Sequence, residues 1–93
     1  MKAGRIQEYI HSDNTTKNKG GSLVLITSNT DFAAKTAEFI AFSGKVAMMA
    51  YAVKAENWDT IIEAVPEMEE ERLALQKSLR ETITIEQISV MSL

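Results

Sequence analysis

The chain has 93 residues, 45% of them hydrophobic and 25% charged, and a formal net charge of -3. This length suits a single domain, residues 1–93, and the mixed composition is that of a globular protein with a core, not of a disordered or fibrous chain. Lack of cysteine excludes disulfides, thiolate metal sites and iron–sulfur clusters, while a slightly acidic charge with dispersed Lys and Arg argues against nucleic acid as the main partner.

The polar start Met1-Lys2-Ala3-Gly4-Arg5 lacks the apolar stretch of a secretory signal. No apolar run reaches the roughly 20 residues that span a bilayer, so the expected location is the cytoplasm, with no membrane partner. The first predicted strand, Arg5 to His11, places Ile6 and Ile10 on one side and Arg5, Gln7, Tyr9 and His11 on the other. From Ser12 to Gly21 every residue is polar or glycine, which predicts a long, mobile hairpin connection. Ser22 to Thr27 is continuously apolar and rich in β-branched residues, as in a central strand covered on both faces, and it is expected to pair antiparallel with the first.

Ser28, Asn29 and Thr30 are three candidate caps for a helix predicted over Asp31 to about Val53, with Asp31 favourably placed against the helix dipole. Gly44 inside it predicts either a close helix contact or a local bend. Asn57 can cap a short helix through Trp58, Ile61, Ile62 and Val65, which Pro66 ends. A further helix follows, with Glu67, Glu69, Glu70 and Glu71 at its start, Lys77 and Arg80 near its end, and Met68, Leu75 and Leu79 facing the sheet with Leu73 flanking. Finally Ile83 and Ile85 alternate in one phase and Ile88 and Val90 in the other, which predicts a single strand with a bulge near Glu86 and Gln87. The order β-β-α-α-α-β predicts an α+β fold: a three-stranded antiparallel sheet with helices packed on one face.

Thr30-Asp31-Phe32-Ala33-Ala34-Lys35 follows an apolar strand and opens a helix, and it resembles the Thr-Asp-Phe-Val-Ala-Lys motif of elongation factor Ts. The surroundings agree in order: Lys19-Gly20-Gly21 before the strand, Glu38-Phe39 after the motif, then Glu69-Glu70-Glu71-Arg72-Leu73-Ala74-Leu75 and Ile83-Thr84-Ile85-Glu86-Gln87. The resemblance runs from about Gly4 to Leu93 and is dense around two motifs. It departs where the family usually has Asn-Cys-Glu, here Thr27-Ser28-Asn29, and where the usual Val is Ala33. The family also carries an N-terminal helical module and often a second core subdomain; the expectation is a core domain lacking both.

The resemblance implies a fold like the family's core domain and a partner, elongation factor Tu, whose GDP release the chain promotes. It assigns the contact to Thr30, Asp31, Phe32 and Ala33, with Asp31 and Phe32 acting as a wedge near the magnesium and phosphate site of Tu. Left to general tendencies, Phe32 would instead pack on its own sheet, while Asp31 would serve as a dipole partner or cap, a role compatible with binding. A non-catalytic module that binds Tu or assembles with it is the alternative reading. No cofactor, metal or enzymatic activity is expected: His11 is the sole histidine, the glutamate cluster lacks the pattern of a calcium loop, and Gly20-Gly21 is followed by no Gly-Lys-Ser or Gly-Lys-Thr. His11 and the glutamates are read as solvated, and Met48 and Met49 as core filling. Because the family core contains two related halves or pairs across a dimer, a homodimer through the apolar closing strand, Ile88 to Leu93, is also expected.

Overall fold

The apolar residues of the central and closing strands need a layer to cover one side, and the helices between those two strands supply it. The computed structural model describes residues 3–93. It contains β1 (Ala3–His11), β2 (Gly20–Ser28), α1 (Asp31–Ala34), α2 (Ala37–Val53), α3 (Trp58–Ala64), α4 (Glu67–Leu79) and β3 (Thr84–Ser92). The sheet order is β1-β2-β3, with both pairs antiparallel, so the predicted α+β architecture is the one observed.

The change of phase in the closing strand is resolved as the sequence predicts. Leu25 pairs with Gln87 but Ile26 pairs with Ile85, so Glu86 is the extra residue of a bulge. Without it, Ile83 and Ile88 could not both face the core, because a one-residue slip turns every following side chain over. Both are buried, together with Val24 and Ile26 of the central strand. Helix α2 lies against all three strands and contributes Phe39, Phe42, Val46, Ala47 and Ala50, while α3 and α4 add Ile61, Met68 and Leu75.

Several local expectations are corrected. The helix after Thr30 is two helices: Thr36 takes an extended backbone conformation, and its hydroxyl accepts from the Phe39 amide at 3.2 Å, starting α2 afresh. The connection between β1 and β2 is shorter than its composition suggests, and it is organised. Asp13 Oδ1 accepts from the amides of Thr15 and Thr16 at 2.9 and 2.6 Å, and Lys19 N–H donates to the His11 carbonyl at 2.8 Å. The Thr16 and Thr15 amides first, then the Thr15 hydroxyl and the Lys19 ammonium, hold the Asp13 carboxyl well below the usual carboxylate range. Gly44 marks no close helix contact, since a methyl group there would meet nothing within 4 Å.

Among the described residues, the sheet is covered on one face only. Tyr9 and His11 turn toward α2, whereas Ile6, Ile10 and the central-strand Leu23 lie on the open side, 67%, 55% and 53% exposed. His11 is not a solvated bystander: its ring stacks on Tyr51 at 5.1 Å and its Nδ1 is 2.9 Å from Tyr9 Oη. The Lys54 ammonium lies 3.2 Å from the centre of the same Tyr51 ring, closing the C-terminal end of α2 by a cation–π contact. Met49 packs against the core as expected, but Met48 is exposed.

Candidate functional site

Strand β2 ends at Ser28 and helix α1 begins three residues later, so the chain turns a sharp corner through Asn29 and Thr30. Thr30 has the extended backbone of a helix cap, and its hydroxyl oxygen accepts from the Ala33 amide at 3.3 Å. Ser28 braces the same corner by donating its hydroxyl to the Thr30 carbonyl at 2.9 Å. On the far side of the turn, the Thr36 hydroxyl donates to the Ala33 carbonyl at 2.9 Å. Helix α1 is thus a single turn tied at both ends.

What seats this turn is the pair of alanines. Ala33 and Ala34 are 2% and 5% exposed, which leaves the other side of the turn to Asp31 and Phe32. Phe32 is 82% exposed, an extreme value for a phenylalanine in a protein this size. Of the four residues that the motif singles out, Asp31 and Phe32 therefore face solvent, Thr30 forms the cap, and the Ala33 methyl lies inside the molecule. Small residues at 33 and 34 let the turn sit close to the sheet while the ring points away.

A fifth residue completes the corner. Glu81, just past the end of α4, accepts from the amides of Asn29 and Thr30 at 2.9 and 3.0 Å through Oε1, and from the Thr30 hydroxyl at 2.5 Å through Oε2. The Thr30 hydroxyl above all, then the two amides, holds the Glu81 carboxyl below its ordinary value. Sequence reading missed this residue because its partners lie 51 and 52 positions away. The only local signal was its place between a helix end and a strand.

Glu81 is itself held from behind. Arg80 takes the left-handed conformation that ends α4, and the Glu81 amide donates to the Gln76 carbonyl at 3.2 Å. Arg72 reaches forward to donate to Gln76 Oε1 at 2.8 Å and to the Ile83 carbonyl at 2.9 Å, and pairs with the Glu69 carboxylate one turn behind it. Trp58 Nε1 donates to Glu69 Oε2 at 2.8 Å, an oxygen it shares with Arg72 Nε at 2.9 Å. The glutamates that open α4 are thus not all solvated: Glu69 is in this network and Glu71 pairs with Lys45 at 2.8 Å.

Away from the corner, the open face of the sheet forms a shallow groove of about 790 Å³ whose apolar walls are Ile10, Leu23, Met91 and Leu93. Among the described residues, no group of three or more His, Asp or Glu is arranged to hold a metal ion, and no helix is long and apolar enough to cross a membrane.

No protein-family model matches the chain. Curated relatives do. Elongation factor Ts of Photorhabdus laumondii is 36% identical over 92 residues, covering 97% of this chain and 31% of that protein. Elongation factor Ts of Vibrio campbellii is 43% identical over 75 residues, or 78% of this chain and 25% of that protein. The Vibrio vulnificus protein of the same name is 43% identical over 74 residues, 77% of this chain and 25% of its own length. The chain spans about a quarter to a third of the length of these relatives, and over most of its residues it is elongation factor Ts-like.

Proposed function

We propose that this chain binds elongation factor Tu and promotes release of GDP by inserting Phe32, with Asp31 beside it, between elements of Tu near its magnesium and phosphate site. The observation that carries the reading is the 82% exposure of Phe32 on a short helical turn tied at both ends. A large apolar ring held in water at a rigid corner is unfavourable for the free chain and favourable once a partner covers it. Chemically, the exchange needs no bond to be made or broken by this protein, so no enzymatic role, cofactor or metal of its own is required. A factor that binds the nucleotide-free state of Tu more tightly than the GDP-bound state must weaken GDP binding by the same ratio.

A buried aromatic anchor contributes roughly 2 to 4 kcal/mol to an interface, and every 1.4 kcal/mol is about tenfold in affinity. One ring is therefore large enough to carry a measurable exchange effect. Catalytic amounts of the chain are expected to accelerate release of labelled GDP from Tu, and Phe32→Ala is expected to remove most of that acceleration without unfolding the protein, since the ring supports little of the core. A Tu that does not respond to high concentrations of the wild-type chain overturns the reading.

The alternative is a Tu-binding or assembly module without exchange activity. The chain spans 25 to 31% of its relatives' length, so likeness to them reaches binding and exchange only as separate proposals. A pull-down that retains Tu while GDP leaves at its spontaneous rate selects this alternative. A second copy of the chain is also a proposed partner, through the open face of the sheet, and translation places the proposed activity in the cytoplasm.

A further inference from the structure

We infer that Glu81 is a positioning residue for the Phe32 corner: its carboxylate fixes the turn from which Asp31 and Phe32 project. The inference rests on the wedge proposed above and names the part of the molecule that aims it.

Helix α1 has only four residues, Asp31 to Ala34. A single helical turn is not self-sustaining, because nucleating a helix fixes several dihedral angles for one hydrogen bond. Its direction must come from ties to the rest of the fold. One set of ties runs downstream, where the Thr36 amide and hydroxyl both bond the Ala33 carbonyl, at 3.2 and 2.9 Å. The upstream set converges on Glu81, which takes up three donors from two successive residues.

The Thr30 hydroxyl shows how the carboxylate acts at a distance from the ring. Its single proton is committed to Glu81 Oε2 at 2.5 Å, so its lone pairs are left to accept from the Ala33 amide at 3.3 Å. Glu81 therefore selects the hydroxyl orientation in which Thr30 can cap α1. With the carboxylate gone, the hydroxyl is free to rotate, two amides lose their acceptor, and upstream the turn carrying Phe32 is left with the bond from Ser28 to the Thr30 carbonyl. A ring that must be ordered on binding costs affinity that a pre-ordered ring does not.

Two other roles for Glu81 are separable from this one. If it acts as a long-range negative charge toward the partner, aspartate replaces it and glutamine does not. If it positions the corner by hydrogen bonds, glutamine keeps an acceptor at the correct reach for both amides and turns its NH2 to the Thr30 hydroxyl oxygen, which keeps a lone pair for the Ala33 amide, whereas the shorter aspartate falls short of hydrogen-bonding distance.

The test is a series of variants of the 93-residue chain, Glu81→Ala, Glu81→Asp and Glu81→Gln, read in two ways. In the free chain, hydrogen exchange measured by NMR is expected to show the amides of Asn29, Thr30 and Ala33 losing protection in E81A and E81D and largely keeping it in E81Q, with core amides unchanged. In the GDP-release assay, E81A and E81D are expected to lose on the order of tenfold in exchange efficiency, about one affinity decade, and E81Q to recover most of it. Should E81A fail to fold, the opposite responses of the aspartate and glutamine variants carry the same distinction. Exchange rescued by aspartate and not by glutamine overturns the positioning role, as do protected corner amides in E81A. An active wild type matched by E81A, in an assay where Phe32→Ala is inactive, overturns the role of Glu81 alone. A wild-type chain with no exchange activity overturns the wedge and this role with it.

Discussion

At Gly21 an added methyl group would lie 2.3 Å from the carbonyl oxygen of Tyr9, while at Gly44 it would meet no heavy atom within 4 Å. The first contact is with the backbone of a paired strand, which cannot swing aside, so Gly21→Ala is expected to destabilise the protein by about 1 to 3 kcal/mol. The second removes the entropic penalty of glycine inside α2 without creating a clash, so Gly44→Ala is expected to stabilise by about 1 kcal/mol. Denaturant titrations of both variants, with slopes equal to that of the wild type, check the pair; a destabilised Gly44→Ala would mean that the site is not open. At this scale the sequence carried the corner unevenly. Thr30 as a cap and Asp31 in the first turn follow from residue type and spacing, and the outward ring is consistent with the alternation of a buried alanine pair with two larger residues. Glu81 had no such spacing to betray it, because its partners are joined to it through the fold and not along the chain.

Among the elements, the join between α4 and β3 depends on a few polar side chains more than on apolar burial. Arg72 is 20% exposed and binds Glu69, Gln76 and the Ile83 carbonyl, so Arg72→Ala leaves several partners short of a donor. A loss of about 2 kcal/mol is expected in thermal or chemical unfolding, as for hydrogen bonds to a charged group in a partly buried setting. The bonds from Arg72 keep the Glu69 carboxyl below its ordinary value against the opposing effect of burial, with Trp58 assisting. A depressed carboxylate contributes stability that is fully present above the ordinary glutamate range and is lost as pH falls through the depressed value. The melting temperature of Glu69→Gln should therefore lie below that of the wild type at neutral pH and converge on it in acid; parallel curves down to low pH would remove the pair as a source of acid sensitivity.

The same scale shows why the elements were only partly legible. The bulge at Glu86, the Asn57 cap and the stop at Pro66 are local and were read directly from residue order. The break at Lys35 and Thr36 was not, since the apolar periodicity runs on across it and a threonine inside a helical pattern looks like any other exposed residue. Nor was the orientation of β1. Isoleucine normally seeks the core, but here Tyr9 and His11 face inward because the end of α2 places the Tyr51 ring beneath them, a tertiary contact that overrides hydropathy.

For the molecule as a whole, the consequence of one helical layer on one sheet is a second sheet face that no element among the described residues covers. Ile6, Ile10, Leu23 and Met91 lie there, the last 80% exposed, and Glu8 sits opposite Leu23 in the strand register. Clustered apolar side chains of this kind mark interaction surfaces more often than isolated ones do. A two-fold pairing would bury the same face from both copies, and a stable interface needs roughly 800 Å² from each partner. Self-association was expected through Ile88 to Leu93, but Ile88 and Val90 point into the core, so Met91 and Leu93 are what that strand offers a partner. Light scattering is expected to show a dimer at high protein concentration and a monomer for Ile10→Lys, with thermal stability at low concentration nearly unchanged because Ile10 is already 55% exposed. A wild type that remains monomeric at high concentration would exclude this face as a dimer surface while leaving the Phe32 corner, at a different part of the molecule, untouched.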